Sequence, residues 1–340
     1  MLHAGADALA GFSTSVLLAA GADQPSAEAA TWAMLHASLH GVDSHGIRLL
    51  PFYAECLSTG LAKGSPTVST RPLRRAAVRV DADGGLGHLA TYRAMDEACA
   101  LAREGGVGLA LVVNSTHFGA AGAYALAAAN AGFVGFVASN SGAFVVPHGG
   151  KIPLHGTNPI ALAAPNPGGD PFLLDMATSS IPWNKVLKYR LEAIELPRFV
   201  AVNNSGEFVT DAASATALAP LGGAEYGYKG AGLAGLAEVL GGVLTGMKLS
   251  FEQDGRALGD TELGHFVLAI DPTLLMTLEA FGLRLQFYLD VFKSQPGIYA
   301  AGGPEWARRR EREASGIPLS DALATELRAI GDRHSIASPF

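Results

Sequence analysis

The sequence has few charged residues, two cysteines and no long apolar segment, and each shortage excludes a class of protein. Charged residues make up 16% of the 340 positions, with 24 Lys and Arg against 31 Asp and Glu. A mildly acidic chain binds a phosphate backbone poorly, so we expect no nucleic-acid partner. No stretch approaches the roughly 18–20 apolar residues that span a bilayer, so we expect no membrane segment.

The two cysteines, Cys56 and Cys99, can form neither a disulfide framework nor a four-cysteine zinc site, and we expect both to be buried. The sequence also lacks an H-E-x-x-H motif, paired Cys/His spacing and a carboxylate cluster, which argues against a metal site. It has no G-x-S-x-G or G-x-x-x-x-G-K-[ST] motif, which argues against a serine hydrolase and a P-loop protein.

The first 22 residues are apolar but contain no Lys or Arg and carry Asp7, a pattern that disfavours a signal peptide. Apolar residues make up 49% of the chain, and the mean hydropathy is +0.25. Such a chain can bury a large core, and its surplus of apolar over charged residues favours subunit contacts. We therefore expect a cytoplasmic enzyme that forms an obligate oligomer.

Helix-forming residues dominate both ends of the chain, and strand-like runs lie between them. Residues 5–62 and 277–332 are helical in composition, with a helix start at Asp23-Gln24-Pro25. The middle alternates short strands with helices, which indicates an α/β or α+β fold. The predicted strands cover 76–81, 108–113, 133–138, 160–164, 172–174, 200–205 and 264–270, and the predicted helices between them cover 88–104, 120–131 and 230–244. We expect the poorly charged helix 230–244 to be buried and the run Arg308–Glu313 to form a solvated helix face.

A glycine-rich segment, Gly85-Leu86-Gly87-His88-Leu89-Ala90, matches the G-x-G-x-x-A pattern of dinucleotide loops. The acidic residue that should end the second strand is missing, because Val112-Val113 leads into Asn114-Ser115. A plain turn with close helix–sheet packing is therefore the favoured interpretation.

Other polar clusters are better candidates for chemistry. In Asp43-Ser44-His45-Gly46-Ile47-Arg48 the imidazole can exchange a proton near neutral pH, Ser44 can orient it, and Arg48 can hold an anionic group. The segment from Asn114 to Gly122 contains His117 and lies where a strand ends and a helix begins, a common place for ligands. The alternative for residues 43–48 is a break between helices with a histidine at the surface. Further polar segments lie at 140–159, 175–180 and 227–230.

Five motifs occur in a single order along the chain: DSHGI at 43–47, NSTHFGAAG at 114–122, GTNPIA at 156–161, LDMATS at 174–179 and GYKGAGL at 227–233. Over about residues 25–335 the sequence resembles the malate/L-lactate dehydrogenase family, which includes ureidoglycolate dehydrogenase, diketogulonate reductase, sulfolactate dehydrogenase and Δ1-piperideine-2-carboxylate reductase. The resemblance implies a dimer with a mostly antiparallel central sheet that binds NAD or NADP outside any Rossmann cleft. It also implies a helical domain from both chain ends (1–70 plus 285–340) and an α/β cofactor-binding and catalytic domain (71–284).

The resemblance also assigns roles by position. His45, beside Ser44, matches the proton donor, His117 matches the proton acceptor of some members, and Thr157 falls on a substrate-contacting position. The positions that match cofactor contacts are His117, Phe118, Gly119, Ala120, Ala121, Ser141, Asp175, Met176, Ala177, Lys229, Gly303 and Glu305.

Two positions depart from the family pattern. The substrate arginine of the family falls on Leu49, and the arginine here is Arg48, which on an α-helix would point about 100° away. Lys185 replaces the aspartate of imine-reducing members, which favours a 2-hydroxyacid dehydrogenase and leaves Lys185 as a second candidate for the substrate carboxylate. The alternatives that stay open are an imine reductase of a cyclic 2-carboxylate, a ligand-binding protein without catalysis and a structural dimer.

Overall fold

The N-terminal segment is helical, as predicted, in a computed structural model that describes residues 2–253 and 261–340. Its helices are α1 (Ala6–Ala19), α2 (Gln24–Leu39) and α3 (Leu50–Ser58). The Asp23 carboxylate accepts the Ser26 N–H at 3.0 Å and so caps α2, whose first turn contains Pro25. The predicted helix start is therefore confirmed.

A seven-stranded sheet follows, in the order β2-β3-β4-β10-β5-β6-β7. The strands are β2 (Ser69–Arg74), β3 (Ala77–Asp81), β4 (Val107–Ser115), β5 (Val134–Ser139), β6 (Ile160–Ala164), β7 (Phe172–Met176) and β10 (Leu263–Ile270). β3 pairs antiparallel with β2 and parallel with β4. The sheet is mixed at this edge, and the predicted α/β character is confirmed.

Two helices of the middle segment, α4 (Gly87–Gly105) and α5 (Gly122–Asn130), each begin after a strand. Gly87 opens α4 where a Cβ would lie 2.5 Å from the Thr116 carbonyl oxygen and 2.8 Å from the Phe118 Cβ. The glycine therefore permits close packing of the helix, which supports the turn interpretation of residues 85–90. Cys56 and Cys99 are both buried, as predicted.

The C-terminal tail contains α8 (Leu278–Lys293), α9 (Gly303–Ser315), β11 (Ile317–Leu319) and α10 (Asp321–Arg333). The strand β11 pairs antiparallel with β1 (Leu2–Ala4), which the helical prediction for 277–332 missed. In the basic run of α9, Arg308 pairs with Glu311 at 3.1 Å and Arg309 with Glu313 at 2.7 Å, as predicted. The prediction is wrong for Arg312, whose side chain is only 7% exposed.

Contacts divide the chain into two compact units: Met1–Val137, Ala161–Asp175 and Val267–Phe340 form the first, and Ala138–Ile160 and Met176–Phe266 form the second. The residues of the predicted helical domain, 1–70 plus 285–340, all belong to the first unit. The predicted domain boundaries stay a prediction.

The second unit contains α6 (Trp183–Leu191), the paired strands β8 (Ala201–Val202) and β9 (Ala217–Leu218), and α7 (Gly223–Glu238), which a π-turn extends to Val243. The predicted burial of helix 230–244 is wrong, because Leu236, Val239 and Val243 are 43–59% exposed. The low charge of this helix comes from its small residues, and only those and Glu238 face inward. Among the described residues, no helix has the length and apolarity needed to cross a membrane.

Candidate active site

The first histidine, His45, lies on two 3₁₀ turns, Asp43–His45 and Ile47–Leu49, which meet at Gly46. Consecutive residues of a 3₁₀ turn are about 120° apart, so Arg48 and Leu49 point in different directions, as predicted. Leu49 packs against the helical core of the first unit, whereas Arg48 is exposed. Arg48 is close enough to act on the charge of His45.

The environment of His45 favours its neutral form. Its Nδ1 lies 2.9 Å from the Ser44 Oγ. Burial, reinforced by the positive charge of Arg48, lowers the pKa of His45 from 6.5 to about 4. The free protein therefore holds a neutral imidazole at neutral pH, whereas the proton-donor role that the resemblance implies requires the protonated form.

His117 follows the end of β4, and its ring stacks on that of His45 with centroids 5.8 Å apart and planes 16° from parallel. The two residues are 72 positions apart in the chain, and the fold brings them together. The structure thus places side by side the two imidazoles to which the resemblance assigns proton transfer, and their roles stay a prediction. Phe52 packs edge-on against His117, with ring centroids 5.9 Å apart.

Tyr53 is a site residue that the sequence analysis missed. Its side chain is fully buried, and its hydroxyl lies 2.8 Å from Nδ1 of His117. Burial raises the pKa of Tyr53 well above its usual range, so the hydroxyl keeps its proton and can donate it. The Gly119 N–H also donates to Nδ1, at 3.4 Å. Two donors on Nδ1 place the proton of neutral His117 on Nε2. The signal available in the sequence was a tyrosine among buried helix positions, where its hydroxyl needs a partner.

The Asp175 carboxylate lies at the start of α5, and the Glu305 carboxylate is close enough to act on it. Asp175, in β7, has its pKa raised to about 6 by burial and by the nearby Glu305, although the Gly122 N–H acts in the opposite direction. A Cβ at position 122 would lie 2.7 Å from the Asp175 Oδ2, so only glycine leaves room for the carboxylate. This oxygen is buried and has no hydrogen-bond partner among the described residues.

One group of this region fits a dinucleotide. The unpartnered Asp175 oxygen suits a ribose hydroxyl. The first N–H groups of α5 are already bonded within the protein, Gly122 to Asp175, Ala123 to the Ala120 oxygen and Tyr124 to the Ala121 oxygen. Gly303 and Glu305 lie in the first turn of α9, where Glu305 acts on Asp175. The remaining positions of the predicted cofactor loop, Phe118, Gly119, Ala120 and Ala121, are buried. They would therefore contribute backbone groups rather than side chains.

In the second unit, Ser141 and Thr157 belong to a hydrogen-bonded cluster. The Ser141 N–H donates to Oδ1 of Asn158, which follows Thr157 in the chain. The buried Glu238 carboxylate accepts from the side chains of Asn140 (3.2 Å) and Asn158 (2.8 Å). It also accepts from the N–H (2.7 Å) and Oγ (2.5 Å) of Ser250. Through Asn158, the cluster fixes the backbone at Ser141 and next to Thr157.

The other predicted site residues of the second unit are not joined to this cluster. Lys185 on α6 and Lys229 on α7 are exposed, and Lys229 Nζ lies 5.3 Å from the ring centroid of Tyr226. Among the described residues, no hydrogen bond or ion pair links either lysine side chain to Ser141 or Thr157. Met176 ends β7 and Ala177 follows it, and both are half-buried. Within the described residues, no group of three His, Cys, Asp or Glu side chains is arranged to hold a metal ion.

Comparison with known proteins extends over nearly the whole chain. The sequence pattern of malate/L-lactate dehydrogenase matches residues 5–328. A malate dehydrogenase of Pyrococcus abyssi is 34% identical over 339 residues, covering 96% of this chain and 93% of that protein. (2R)-3-sulfolactate dehydrogenase (NADP(+)) of Chromohalobacter salexigens is 34% identical, covering 93% and 94%. Ureidoglycolate dehydrogenase (NAD(+)) of Escherichia coli K12 is 31% identical, covering 85% and 84%.

Solved structures agree with these sequences. Malate dehydrogenase from Entamoeba histolytica has a TM-score of 0.90 at 26% identity and covers 100% of this chain and 99% of its own. Δ1-piperideine-2-carboxylate reductase from Pseudomonas syringae pvar. tomato has a TM-score of 0.88 at 28% identity, with coverage of 97% and 100%. The chain therefore belongs to the malate/L-lactate dehydrogenase family and is an oxidoreductase.

Proposed function

We propose that this protein is an NAD(P)-dependent dehydrogenase that exchanges a hydride between the nicotinamide and C2 of a small 2-hydroxy or 2-oxo carboxylic acid. The observation that carries the proposal is the stacked pair of His45 and His117, of which His45 is neutral at neutral pH. A neutral imidazole is the form that accepts a proton from a hydroxyl group.

His45 acts as the proton carrier. The bound cofactor supplies the hydride acceptor, and the hydroxyl proton of the substrate passes to Nε2 of His45 while Ser44 holds Nδ1. In the reverse direction the same imidazole returns the proton to the oxygen of the 2-oxo acid. A substrate carboxylate beside Arg48 offsets its positive charge, which raises the pKa of His45 and makes the protonated form accessible for reduction.

His117 complements His45 as a hydrogen-bond donor. Because Tyr53 and Gly119 direct their protons at Nδ1, the Nε2–H of His117 can donate to the reacting oxygen and stabilise the charge that develops there. The resemblance assigns His117 as proton acceptor in some members. The arrangement around Nδ1 supports the donor role instead.

The substrate carboxylate is held by Arg48, which lies beside the proton carrier and so orients C2 relative to it. Thr157 and Lys185 remain proposed substrate contacts on the resemblance alone. Ser141, Met176, Ala177 and Lys229 remain proposed cofactor contacts on the same basis, whereas Asp175 and Glu305 also have the supporting geometry described above. One relative is named for NADP and another for NAD, so the proposal covers both.

A homodimer in the cytoplasm remains part of the proposal. An apolar stripe on α8, in which Leu283, Phe287 and Val291 are 67%, 74% and 51% exposed at four-residue spacing, supports a subunit contact. Analytical ultracentrifugation measures the oligomeric state directly. A monomer at micromolar concentration would contradict the dimer.

The function is tested by titrating the protein with NADH and NADPH to measure cofactor binding, followed by a panel of malate, lactate, sulfolactate and ureidoglycolate with NAD⁺ or NADP⁺, monitored by the absorbance of the reduced cofactor formed. We expect cofactor binding and oxidation of at least one hydroxy acid. Reduction of piperideine-2-carboxylate without turnover of any hydroxy acid would establish the imine reductase instead. Absence of binding to either cofactor would leave only the non-catalytic alternatives.

A further inference from the structure

Arg312 is a buried arginine at the end of α9 that joins two distant segments of the first unit. Its guanidinium donates to the backbone oxygen of Ser38 in α2. It also forms a bidentate salt bridge with Asp43, in which Nη1 lies 2.5 Å from Oδ1 and Nη2 lies 3.0 Å from Oδ2. Asp43 is the first residue of the 3₁₀ turns that carry Ser44 and His45.

The far end of the same turns is also fixed to α2. The Ile47 N–H donates to the Ser38 Oγ at 2.8 Å. Gly46 is pressed so closely against this serine that a Cβ there would overlap Oγ. His45 therefore lies on a segment that is held on one side by Arg312 and on the other by Ser38.

We infer that Arg312 is a positioning residue, which orients His45 for proton transfer by holding Asp43. The inference rests on the proposed role of His45 as proton carrier. A planar, bidentate arginine–carboxylate pair fixes the orientation of the carboxylate as well as its distance. A lysine ammonium, which acts as a point charge, fixes only the distance. The Asp43 side chain is 61% exposed, so solvent screens one end of the pair, which is not a sealed internal ion pair.

The course of α9 adds a second reason for this assignment. Glu305 and Arg312 are seven residues apart, which places them on one face of the helix about 10 Å from each other. Glu305 lies near Asp175 in the candidate cofactor region, and Arg312 holds the His45 segment. The helix α9 thus connects the candidate cofactor region to the His45 segment. The orientation of His45 relative to the cofactor region therefore depends on this helix.

The test replaces Arg312 with lysine, which keeps the charge but loses the bidentate geometry. Arg308→Lys is the matched control, because Arg308 lies on the same helix and forms an exposed pair with Glu311. We expect Arg312→Lys to lower kcat about tenfold, with KM and the Kd for the cofactor changed by less than about twofold. Arg308→Lys should match the wild type in all three constants. A wild-type kcat in Arg312→Lys would overturn the assignment.

The decisive comparison uses the His45→Ala background. A residue that acts through His45 has no further effect on kcat once His45 is absent, so Arg312→Lys should leave the residual rate unchanged there. A second tenfold loss in that background would show a general structural role and overturn the inference. If Arg312→Lys does not fold, the exposed Asp43→Asn is tested by the same two comparisons.

These outcomes are separate from failure of the proposed function. If His45→Ala retains the wild-type kcat, the proposed role of His45 fails before Arg312 is considered. A histidine NMR titration then tests the positioning alone, because loosening the segment in Arg312→Lys should admit water and move the His45 midpoint upward. An unchanged midpoint would contradict positioning regardless of activity.

Discussion

The polar groups around the His45–His117 pair of the first unit differ in their hydrogen bonding from those of the Glu238 cluster of the second unit. Glu238 accepts four hydrogen bonds from neighbouring donors and is satisfied within the protein. His45 is instead held neutral, and Asp175 keeps one oxygen without a hydrogen-bond partner among the described residues. A polar group whose hydrogen bonds are all made within the protein stabilises the surrounding structure. A polar group that lacks a hydrogen-bond partner can bind a ligand instead. Substitutions should therefore affect activity in the first region and stability in the second.

The largest effect should come from His45→Ala. Loss of a positioned proton carrier should lower kcat by about 10²–10⁴-fold. The free energy of unfolding should stay within about 1 kcal/mol of the wild type, because the hydrogen-bond partner of the imidazole is the neighbouring Ser44 and not a residue of the core. Steady-state kinetics and chemical denaturation measure the two quantities, with His3→Ala as an exposed control. An unfolded or fully active variant would break the contrast between the two regions.

Glu238→Gln tests the second region. The new amide group would face donors from Asn158 or Ser250, so buried donors lose their acceptor and the free energy of unfolding should fall by about 1–3 kcal/mol. Glu192→Gln is the control in the same unit, since Glu192 forms only an exposed pair with Lys188. Guanidinium denaturation gives the comparison. Equal stability of both variants would remove the supporting role of Glu238.

Tyr53→Phe examines how His117 is oriented. Without the hydroxyl, Nδ1 of His117 keeps only the longer bond from Gly119, and we expect kcat to fall by up to about tenfold. Tyr92→Phe, a substitution at a partly buried tyrosine of the same unit, should have little effect on kcat. Equal rates for the two variants would show that the Tyr53 hydrogen bond has no part in turnover.

The smallest predicted effect is the change in the pKa of His45 in the free enzyme when Arg48 is replaced. In Arg48→Gln the positive charge near His45 is lost, so its imidazolium form is less disfavoured and the pKa should rise from about 4. It should remain below 6.5, because burial is the larger cause of the shift. NMR titration of the histidine ring measures this midpoint. A midpoint that falls or does not move would place Arg48 away from His45.

The sequence predicted elements that local patterns determine. The cap at Asp23, the strand Ile160–Ala164 and the helices at both ends depend on residues within a few positions of each other. Low charge was a poor guide to burial at α7, because glycine and alanine lower the charge of a helix without requiring that its larger apolar residues be covered.

The candidate site was partly predictable, because its motifs resemble those of a family. That resemblance assigned both His45 and His117 to the same site. Their supports were not predictable. Tyr53 is 64 positions from His117, and Arg312 is 269 positions from Asp43. Such pairings depend on the packing of whole helices, and the local composition around Arg312 indicated only a solvated helix face. The inward positions 305, 309 and 312 of α9 follow helical spacing, which was the one available signal.

The central claim is that His45 is a neutral proton carrier in the free enzyme. The most direct test is the pH dependence of kcat/KM for hydroxy-acid oxidation, which reports the ionisation of the free enzyme, measured by brief pH jumps in the wild type and in His45→Ala. The predicted result is an acid limb near pH 4 in the wild type, where His45 becomes protonated, and its loss in the residual activity of the variant. A wild-type limb near pH 6.5, or an identical limb in both proteins, would contradict the account.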